Sequence, residues 1–323
     1  MRIGISFGSA VKSLLLAGIS SGAMMAAVTA AEARAPGYTF TPIAVPGASV
    51  GSTTPLGVND AGQVVGFYIR GGQSSGFLLS GGIYATISKG QNTTVSGING
   101  VGTIAGYYSN TGNDAGMHGQ TGTVAGGFEE INYPASGDWT ELYGINDAGQ
   151  TVGYYTGPPT SHSFLDTNGI FTTVSDPLGT NGTFARAIND GGQIAGYYQD
   201  TGNHANGFLD TSGTFQTVDD PLGTMGTWAE GINNAGQIVG YYQSSSGYYG
   251  FVDTHGTFTT IGSGFAYGIN NAGVIVGVDS STGAFLATPV SDAAPLPVTG
   301  GTIPGGMLLL GWLGRRLALR QRA

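Results

Sequence analysis

Pairs of adjacent tyrosines recur along this chain and are the side chains best suited to chemistry. An aromatic ring can stack on the face of a sugar, and its hydroxyl can hydrogen-bond the sugar's hydroxyls. Repeated pairs would suit multivalent binding of an extracellular polysaccharide. The alternative is that one tyrosine of each pair packs between sheets while the other covers the end of a strand. The candidate ligand-binding residues are the second tyrosines, Tyr108, Tyr155, Tyr198 and Tyr242.

Other polar residues give weaker signals. Acids recur in an "N-D-x-G" phrase, where a tight turn before glycine favours Asn or Asp, and no segment matches a calcium-binding loop. His118, His162 and His204 occupy similar places in successive units, which would spread them around a ring, and the chain has no cysteine. The sequence therefore predicts no catalytic residue, no metal site and no cofactor.

The phrase "GINDAGQTVGYY" (144–155) is one of six similar copies. The copies are spaced by 37 to 47 residues. Periods near 40 residues with short strands are typical of propeller-type repeat folds. The copies begin at Gly57, Gly97, Gly144, Ala187, Gly231 and Gly268.

Each unit predicts four short antiparallel strands. In the third unit these are 141–146, 150–155, 161–166 and 170–174. A tight hairpin joins the first two, with Gly149 where a positive φ is needed. Apolar residues follow no helical period between Pro36 and Val290, so the predicted fold class is all-β.

The two ends of the repeat array indicate how it closes. The last unit stops after its third strand, "GAFLATPV" (283–290), whereas the first segment, "YTFTPIAVPG" (38–47), matches the fourth-strand phrase "GTFQTVDDPLG" (213–223). The sequence therefore predicts a six-bladed β-propeller over residues 36–290, closed by the N-terminal strand, which leaves no exposed sheet edge. The alternative is an open β-solenoid.

The repeated Gly-Ile-Asn and Gly-Gln-x-Val-Gly-Tyr elements resemble the HAF family of bacterial extracellular repeats. The resemblance covers all six units, from Tyr38 to Val290. The second unit departs most, because "GMHGQTG" (116–122) and "EEINYP" (129–134) replace the usual third and fourth strands. The resemblance implies export and a role at the cell surface, and the family offers no established activity.

The N-terminus has the features of a secretory signal peptide over residues 1–33. Arg2 and Lys12 supply the positive region, residues 14–28 are apolar and small, and cleavage is expected between Ala30 and Ala33. The alternative is a retained membrane anchor. Either way, the body of the protein is exported.

The C-terminus resembles a cell-surface sorting signal. A Pro- and Gly-containing linker (291–302) precedes a short apolar segment and a basic tail (303–323). "APLPV" (294–298) resembles the VPLPA-like variant of PEP-CTERM signals. The overlapping stretch "LPVTG" (296–300) resembles the LPxTG sortase motif. Both resemblances imply a sorting transpeptidase as partner and membrane attachment before processing, with the tail cytoplasmic. The motif residues are Leu296, Pro297, Val298, Thr299 and Gly300.

Charge separates the body from both ends. Seven of the ten Lys and Arg residues lie in the two termini, and the body keeps only Arg70, Lys89 and Arg186 against 17 acids, for a net charge of −14. Three scattered cations cannot neutralise a phosphate backbone, which excludes nucleic-acid binding. The predicted function is a non-enzymatic, surface-attached protein for interaction or matrix structure. The alternatives are lectin-like polysaccharide binding and a glycan-cleaving enzyme with two convergent carboxylates.

Overall fold

The computed structural model describes residues 37–110, 116–134, 139–157 and 160–290. These residues form 23 β-strands within one compact unit that ends at Pro289, and they contain no helix. Accordingly, the described chain has no helix of the length and hydropathy that a membrane crossing requires. The predicted signal peptide (1–33), the linker with its sorting motif (291–302) and the basic tail (303–323) lie outside the described residues. The all-β prediction is confirmed.

Sixteen of the strands form four separate sheets, each of four antiparallel strands joined in sequence order. The first sheet contains β2 (Thr54–Val58), β3 (Val64–Arg70), β4 (Gln73–Ser80) and β5 (Ile83–Ile87). The second contains β6 (Asn92–Ile98), β7 (Ile104–Ser109), β8 (Met117–Thr123) and β9 (Gly127–Ile131). The third contains β10 (Thr140–Ile145), β11 (Thr151–Gly157), β12 (Thr160–Thr167) and β13 (Ile170–Val174). The fourth contains β14 (Gly182–Ile188), β15 (Ile194–Gln199), β16 (Ala205–Thr211) and β17 (Thr214–Thr217).

The other seven strands form one continuous sheet. They are β18 (Gly226–Ile232), β19 (Gln237–Ser244), β20 (Gly247–Thr254), β21 (Thr257–Ile269), β22 (Ile275–Asp279), β23 (Gly283–Pro289) and β1 (Tyr38–Pro42). Their order across the sheet is β1-β23-β22-β21-β20-β19-β18. The sheets therefore differ from the six separate four-stranded blades that the sequence predicts. The reason is β21, whose 13 residues pair with β20 along one half and with β22 along the other.

The array closes on itself. The N-terminal strand β1 pairs antiparallel with β23, from Tyr38 opposite Pro289 to Pro42 opposite Phe285, as the sequence predicts. The last repeat also contacts the first, since the Asn270 side chain donates a hydrogen bond to the Asn59 carbonyl oxygen at 3.0 Å. An open solenoid would leave these two repeats at opposite ends, so that alternative is wrong.

The repeated phrase forms the hairpin expected of it. The Gly149 N–H donates to the Asn146 carbonyl at 3.0 Å, and the Asn146 N–H donates to the Gln150 carbonyl at 3.1 Å. Gly149 has a φ of 77°, which is the left-handed conformation that closes such three-residue loops. The predicted turn and its glycine are confirmed.

Large apolar side chains of the third strands fill the space between sheets. Phe164 on β12 is fully buried and lies opposite Gly153 on β11. A Cβ on Gly153 would lie 2.1 Å from the Glu141 carbonyl oxygen, so no larger residue fits there. The second repeat has Gln120 at the phenylalanine position, opposite Gly106, and it is also buried. Neither polar atom of the Gln120 amide has a hydrogen-bond partner among the described residues.

Candidate functional site

The first strand of every repeat, which is the innermost one, carries a β-bulge at the same place, directly before the Gly-Ile-Asn element. These strands are β2, β6, β10, β14, β18 and the second half of β21. The register between the first and second strands slips by one residue there, and a bulge of this kind turns the extra side chain away from the regular face of the sheet. The six bulged residues together line the axis, and we call them the floor residues. They are Leu56, Ser96, Tyr143, Arg186, Glu230 and Tyr267.

The floor residues bound a cavity of about 350 Å³ on the axis. Its walls are formed by two sets of side chains. One set lies on the first strands, two residues before a floor residue. The other set consists of the first residues of the aromatic pairs on the second strands. This volume lies in the range of small-molecule sites. The wall residues are Thr54, Phe67, Thr94, Tyr107 and Tyr241.

Two opposite charges meet at the floor. The Arg186 Nε lies 3.5 Å from the Glu230 Oε2, and both side chains are largely buried. Burial raises the pKa of the Glu230 carboxyl, and the guanidinium opposes that shift. Burial lowers the pKa of Arg186, but the surrounding groups, Glu230 first, together raise it well above its usual value, so it remains a cation.

Aromatic rings hold the guanidinium in place. The Arg186 Cζ lies 4.1 Å from the centre of the Tyr143 ring and 5.3 Å from that of Tyr197, and its Nη2 donates to the Tyr197 hydroxyl at 3.3 Å. Tyr143 in turn donates a hydrogen bond of 2.5 Å to the Glu141 Oε2. Burial raises the pKa of the Tyr143 phenol well above its usual range, so its hydroxyl stays protonated.

Two buried polar atoms at the floor are not used in hydrogen bonds within the described part of the protein. The Ser96 hydroxyl and the Arg186 Nε are buried and have no hydrogen-bond partner among the described residues. The contact between Arg186 and Glu230 is long for a charge-assisted hydrogen bond, which normally spans about 2.7–2.9 Å. The floor can therefore donate to and accept from a bound polar molecule, while its aromatic walls cover the molecule's apolar faces.

The tyrosines predicted to bind sugars are not at this cavity. Tyr108, Tyr198 and Tyr242 are the second members of their pairs, and each is 3–5% exposed because it packs between sheets. Tyr155 stacks on Tyr133, with ring centres 3.8 Å apart. The rings of Tyr108, Tyr198 and Tyr242 are therefore buried, and Tyr133 covers one face of the Tyr155 ring. Adjacent strand residues face opposite ways, so the first members, such as Tyr107 and Tyr241, face the axis instead.

The sequence reasoning missed the floor residues, although the sequence held a signal for them. The glycine, β-branched residue and asparagine that follow are repeated almost unchanged, whereas the bulged position has five residue types among six copies. A position that varies inside an otherwise uniform repeat is free of the structural requirement that keeps its neighbours constant.

The opposite end of the axis is uniform. Each repeated asparagine donates a hydrogen bond from its Nδ2 to the carbonyl oxygen of the asparagine in the next repeat, at 3.0 to 3.2 Å, and the sixth returns to the first. We call this closed circle the asparagine ring. Its members are Asn59, Asn99, Asn146, Asn189, Asn233 and Asn270.

The recurring acids and histidines have local partners. The Asp147 carboxylate accepts a hydrogen bond from the Gly100 N–H at 2.6 Å, and Asp190 accepts one from the Asp147 N–H at 2.8 Å, so these turn acids link neighbouring repeats. His118 lies on β8 and His162 on β12, in different sheets. No group of three or more His, Asp or Glu side chains in the described part of the chain is arranged to hold a metal ion.

Comparisons with known proteins support the architecture alone. Neither a family model nor a curated protein matches the sequence. Among solved structures, the β-propeller domain of the Trilobed protease from Pyrococcus furiosus is similar, with a TM-score of 0.51 and 11% identity over 74% of this chain and 81% of that one. The fold is a β-propeller.

Two other solved structures have lower TM-scores. AofleA from Arthrobotrys oligospora has a TM-score of 0.49 and 14% identity, covering 77% of this chain and 86% of that one. Virginiamycin B lyase from Staphylococcus aureus has a TM-score of 0.49 and 11% identity, covering 78% of this chain and all of that one. What this propeller does must be argued from its own residues.

Proposed function

We propose that this protein is a non-enzymatic, surface-attached binding protein whose axial cavity holds a neutral carbohydrate. The observation that carries the proposal is the Arg186–Glu230 pair. The body has only three cations, and one of them lies buried on the axis. A buried ion pair contributes little net stability compared with apolar residues of similar size. Its presence at a position that varies among the repeats favours a role in recognition.

The chemistry of the cavity favours a neutral, polyhydroxylated ligand. The guanidinium and carboxylate cancel in net charge, and the surrounding body, at −14, repels anions. Sugar hydroxyls both donate and accept hydrogen bonds, which matches a floor that offers both. The aromatic walls suit the apolar faces of a pyranose ring.

The non-enzymatic part of the proposal rests on the lining of the cavity. Glycoside hydrolysis usually uses two carboxyl groups placed about 5–10 Å apart across the bond that is cut. Among the described residues that line this cavity, Glu230 contributes the one carboxylate. Glu141 accepts hydrogen bonds from Trp139 and Tyr143 and serves to hold the Tyr143 hydroxyl.

Export and surface attachment belong to the same proposal. They are supported by the signal-peptide pattern of residues 1–33, by the tail's resemblance to PEP-CTERM and LPxTG signals, and by the repeats' resemblance to the HAF family. We also propose that the seven-stranded sheet functions as two blades that share β21, giving one blade for each repeat. The six-membered asparagine ring supports that count.

The test is an array of neutral glycans probed with the purified protein and two variants. Leu56→Trp places a large ring in the cavity, whereas Leu178→Trp makes the same change at a side chain that is 58% exposed and outside the cavity. We expect the wild type and Leu178→Trp to bind the same glycans and Leu56→Trp to bind none. Glu230→Gln, which preserves shape, should weaken binding at least tenfold if Leu56→Trp proves unstable. An array without a bound glycan, or one unaffected by filling the cavity, contradicts the proposal.

A further inference from the structure

The axial cavity is closed at its inner end. Directly beyond the floor residues, the innermost strands of neighbouring repeats approach closely, at a position that is glycine in five repeats and alanine, Ala187, in the fourth. A Cβ on Gly97 would lie 2.7 Å from the Tyr143 carbonyl oxygen, and one on Gly268 would lie 2.6 Å from the Leu56 carbonyl oxygen. The repeated glycine therefore sets a constriction, built from backbone, that side-chain motion cannot open.

Past this constriction, little space remains on the axis. Beyond the cavity of about 350 Å³ lie two smaller cavities on the axis. One, of about 80 Å³, lies at the level of the repeated glycine, and the other, of about 90 Å³, lies at the asparagine ring. A water molecule occupies about 30 Å³ in the liquid, so each small cavity has room for roughly three waters. A ring of β-branched side chains separates the two small cavities, and no sugar chain can pass through. These side chains are Val58, Ile98, Ile145, Ile188, Ile232 and Ile269.

We infer that the protein recognises the end of a carbohydrate chain, one end per molecule, and not an internal stretch. This inference rests on the proposed function and specifies the part of the ligand that binds. A chain entering a closed cavity must present its end first, and the volume admits roughly one or two sugar rings. A ring in the middle of a chain has two oxygens committed to glycosidic bonds, whereas a terminal ring leaves more hydroxyls free.

The polar groups at the floor match such an end. The Arg186 guanidinium presents a planar fork of N–H donors, and a fork pairs well with two neighbouring oxygens. The Glu230 carboxylate, 3.5 Å away, accepts hydrogen bonds from hydroxyls, and the unpartnered Ser96 hydroxyl adds a third contact. These groups lie at the bottom of the cavity, beneath the aromatic walls. Only the leading residue of a chain reaches them.

The experiment compares polymers with their own fragments. Dextran, laminarin and mannan are each measured intact and after partial acid hydrolysis to about ten times as many chain ends per gram. Binding is followed by calorimetry and by the tryptophan fluorescence of the protein, to which Trp228 contributes from beside the cavity, where its ring stacks on the wall residue Tyr241 at 5.0 Å. We expect the mass concentration at half-saturation to fall about tenfold on hydrolysis of the polysaccharide that binds, with one chain end bound per protein.

Other results separate the two proposals. Half-saturation that follows total sugar mass regardless of chain ends, yet is lost in Leu56→Trp, overturns end recognition and leaves the cavity as the binding site. Binding that survives Leu56→Trp, or no binding to any polymer or hydrolysate, overturns both. Borohydride reduction of the fragments then identifies the end: binding unchanged by reduction assigns the non-reducing end, and binding abolished by it assigns the reducing end.

Discussion

Two levels of the propeller axis lie three residues apart in every repeat and differ completely in their conservation among the repeats. The asparagine ring has the same residue six times, and each member makes the same inter-repeat hydrogen bond. The floor has Leu, Ser, Tyr, Arg, Glu and Tyr. Identical residues in a closed circle indicate a requirement of assembly, because every repeat must meet its neighbour in the same way. Different residues at a shared backbone position indicate that assembly does not constrain them, which leaves them available for recognition.

The tyrosine pairs allow the sharpest test of this contrast between packing and recognition. Tyr242 is 4% exposed and bonds the Thr260 hydroxyl at 3.2 Å, whereas its neighbour Tyr241 lines the cavity. We expect Tyr242→Ala to lower the free energy of unfolding by about 3–5 kcal/mol, as deletion of a buried aromatic ring does. Tyr241→Ala should cost less stability and reduce glycan binding more. Chemical denaturation and the glycan array measure the two effects, and equal losses of stability would show that the pair is not divided as described.

Breaking the asparagine ring should have the next largest effect. Asn146 donates to the Asn189 carbonyl at 3.2 Å and to the Gln150 side chain at 2.9 Å, and its Oδ1 accepts from the Gln150 N–H at 3.0 Å. Asn146→Ala leaves these buried partners unpaired, so we expect a loss of about 2–4 kcal/mol in the free energy of unfolding. Asn206→Ala, at a partly exposed asparagine outside the ring, is the control. Matching denaturation curves for the two variants would show that the ring contributes nothing to stability.

The second repeat offers a stabilising change. Gln120 stands where the other repeats have phenylalanine, and its buried amide has no hydrogen-bond partner among the described residues. A buried amide without a partner costs about 1–3 kcal/mol. Gln120→Phe should therefore raise the free energy of unfolding by about 1–3 kcal/mol, measured by denaturant titration. A decrease would mean that the pocket around Gln120 cannot hold a phenylalanine ring.

The repeat phrase was enough to predict strands, hairpin turns and closure by the N-terminal strand, because these depend on local patterns and on the phase of the repeat. Gly149 and the Tyr38–Pro42 strand are examples. The floor could not be predicted in the same way. A bulge shifts the alternation of faces by one residue, and no propensity marks its position, so Arg186 and Glu230 could not be placed together from sequence. Whether Tyr241 or Tyr242 lines the cavity likewise depends on which face of the strand is turned towards the axis. The merging of two sheets through β21 depends on one uninterrupted strand.

Acidity should stabilise the protein mildly. Burial raises the pKa of Asp166, Asp210 and Asp253 above the ordinary value of 3.8, although each accepts a backbone N–H hydrogen bond. Above 3.8 the folded state then binds more protons than the unfolded state, so the free energy of unfolding rises as the pH falls from 7 towards that value. We expect the midpoint of thermal denaturation to be higher at pH 5 than at pH 7.

The same experiment has an internal check at lower pH. A hydrogen bond from Tyr108 lowers the pKa of Glu130 below its ordinary value of 4.5. The stabilising contribution of Glu130 is therefore present above 4.5 and is lost as the pH falls through the lowered value.

The variant Asp166→Asn should show a smaller rise in the midpoint of thermal denaturation between pH 7 and pH 5 than the wild type. A midpoint that falls steadily from pH 7 to pH 5 would contradict the assignment of these buried acids.

The most direct measurement of the central claim replaces the ion pair and records stability and binding on the same protein. The double variant Arg186→Met and Glu230→Leu removes both charges together and fills the space with apolar side chains, so neither charge is left buried alone. Such replacements are often neutral or stabilising. We therefore predict a free energy of unfolding within about 1 kcal/mol of the wild type, or above it, together with complete loss of binding on the neutral-glycan array. Retained glycan binding, or loss of several kcal/mol of stability, would show that the pair serves the fold and not recognition.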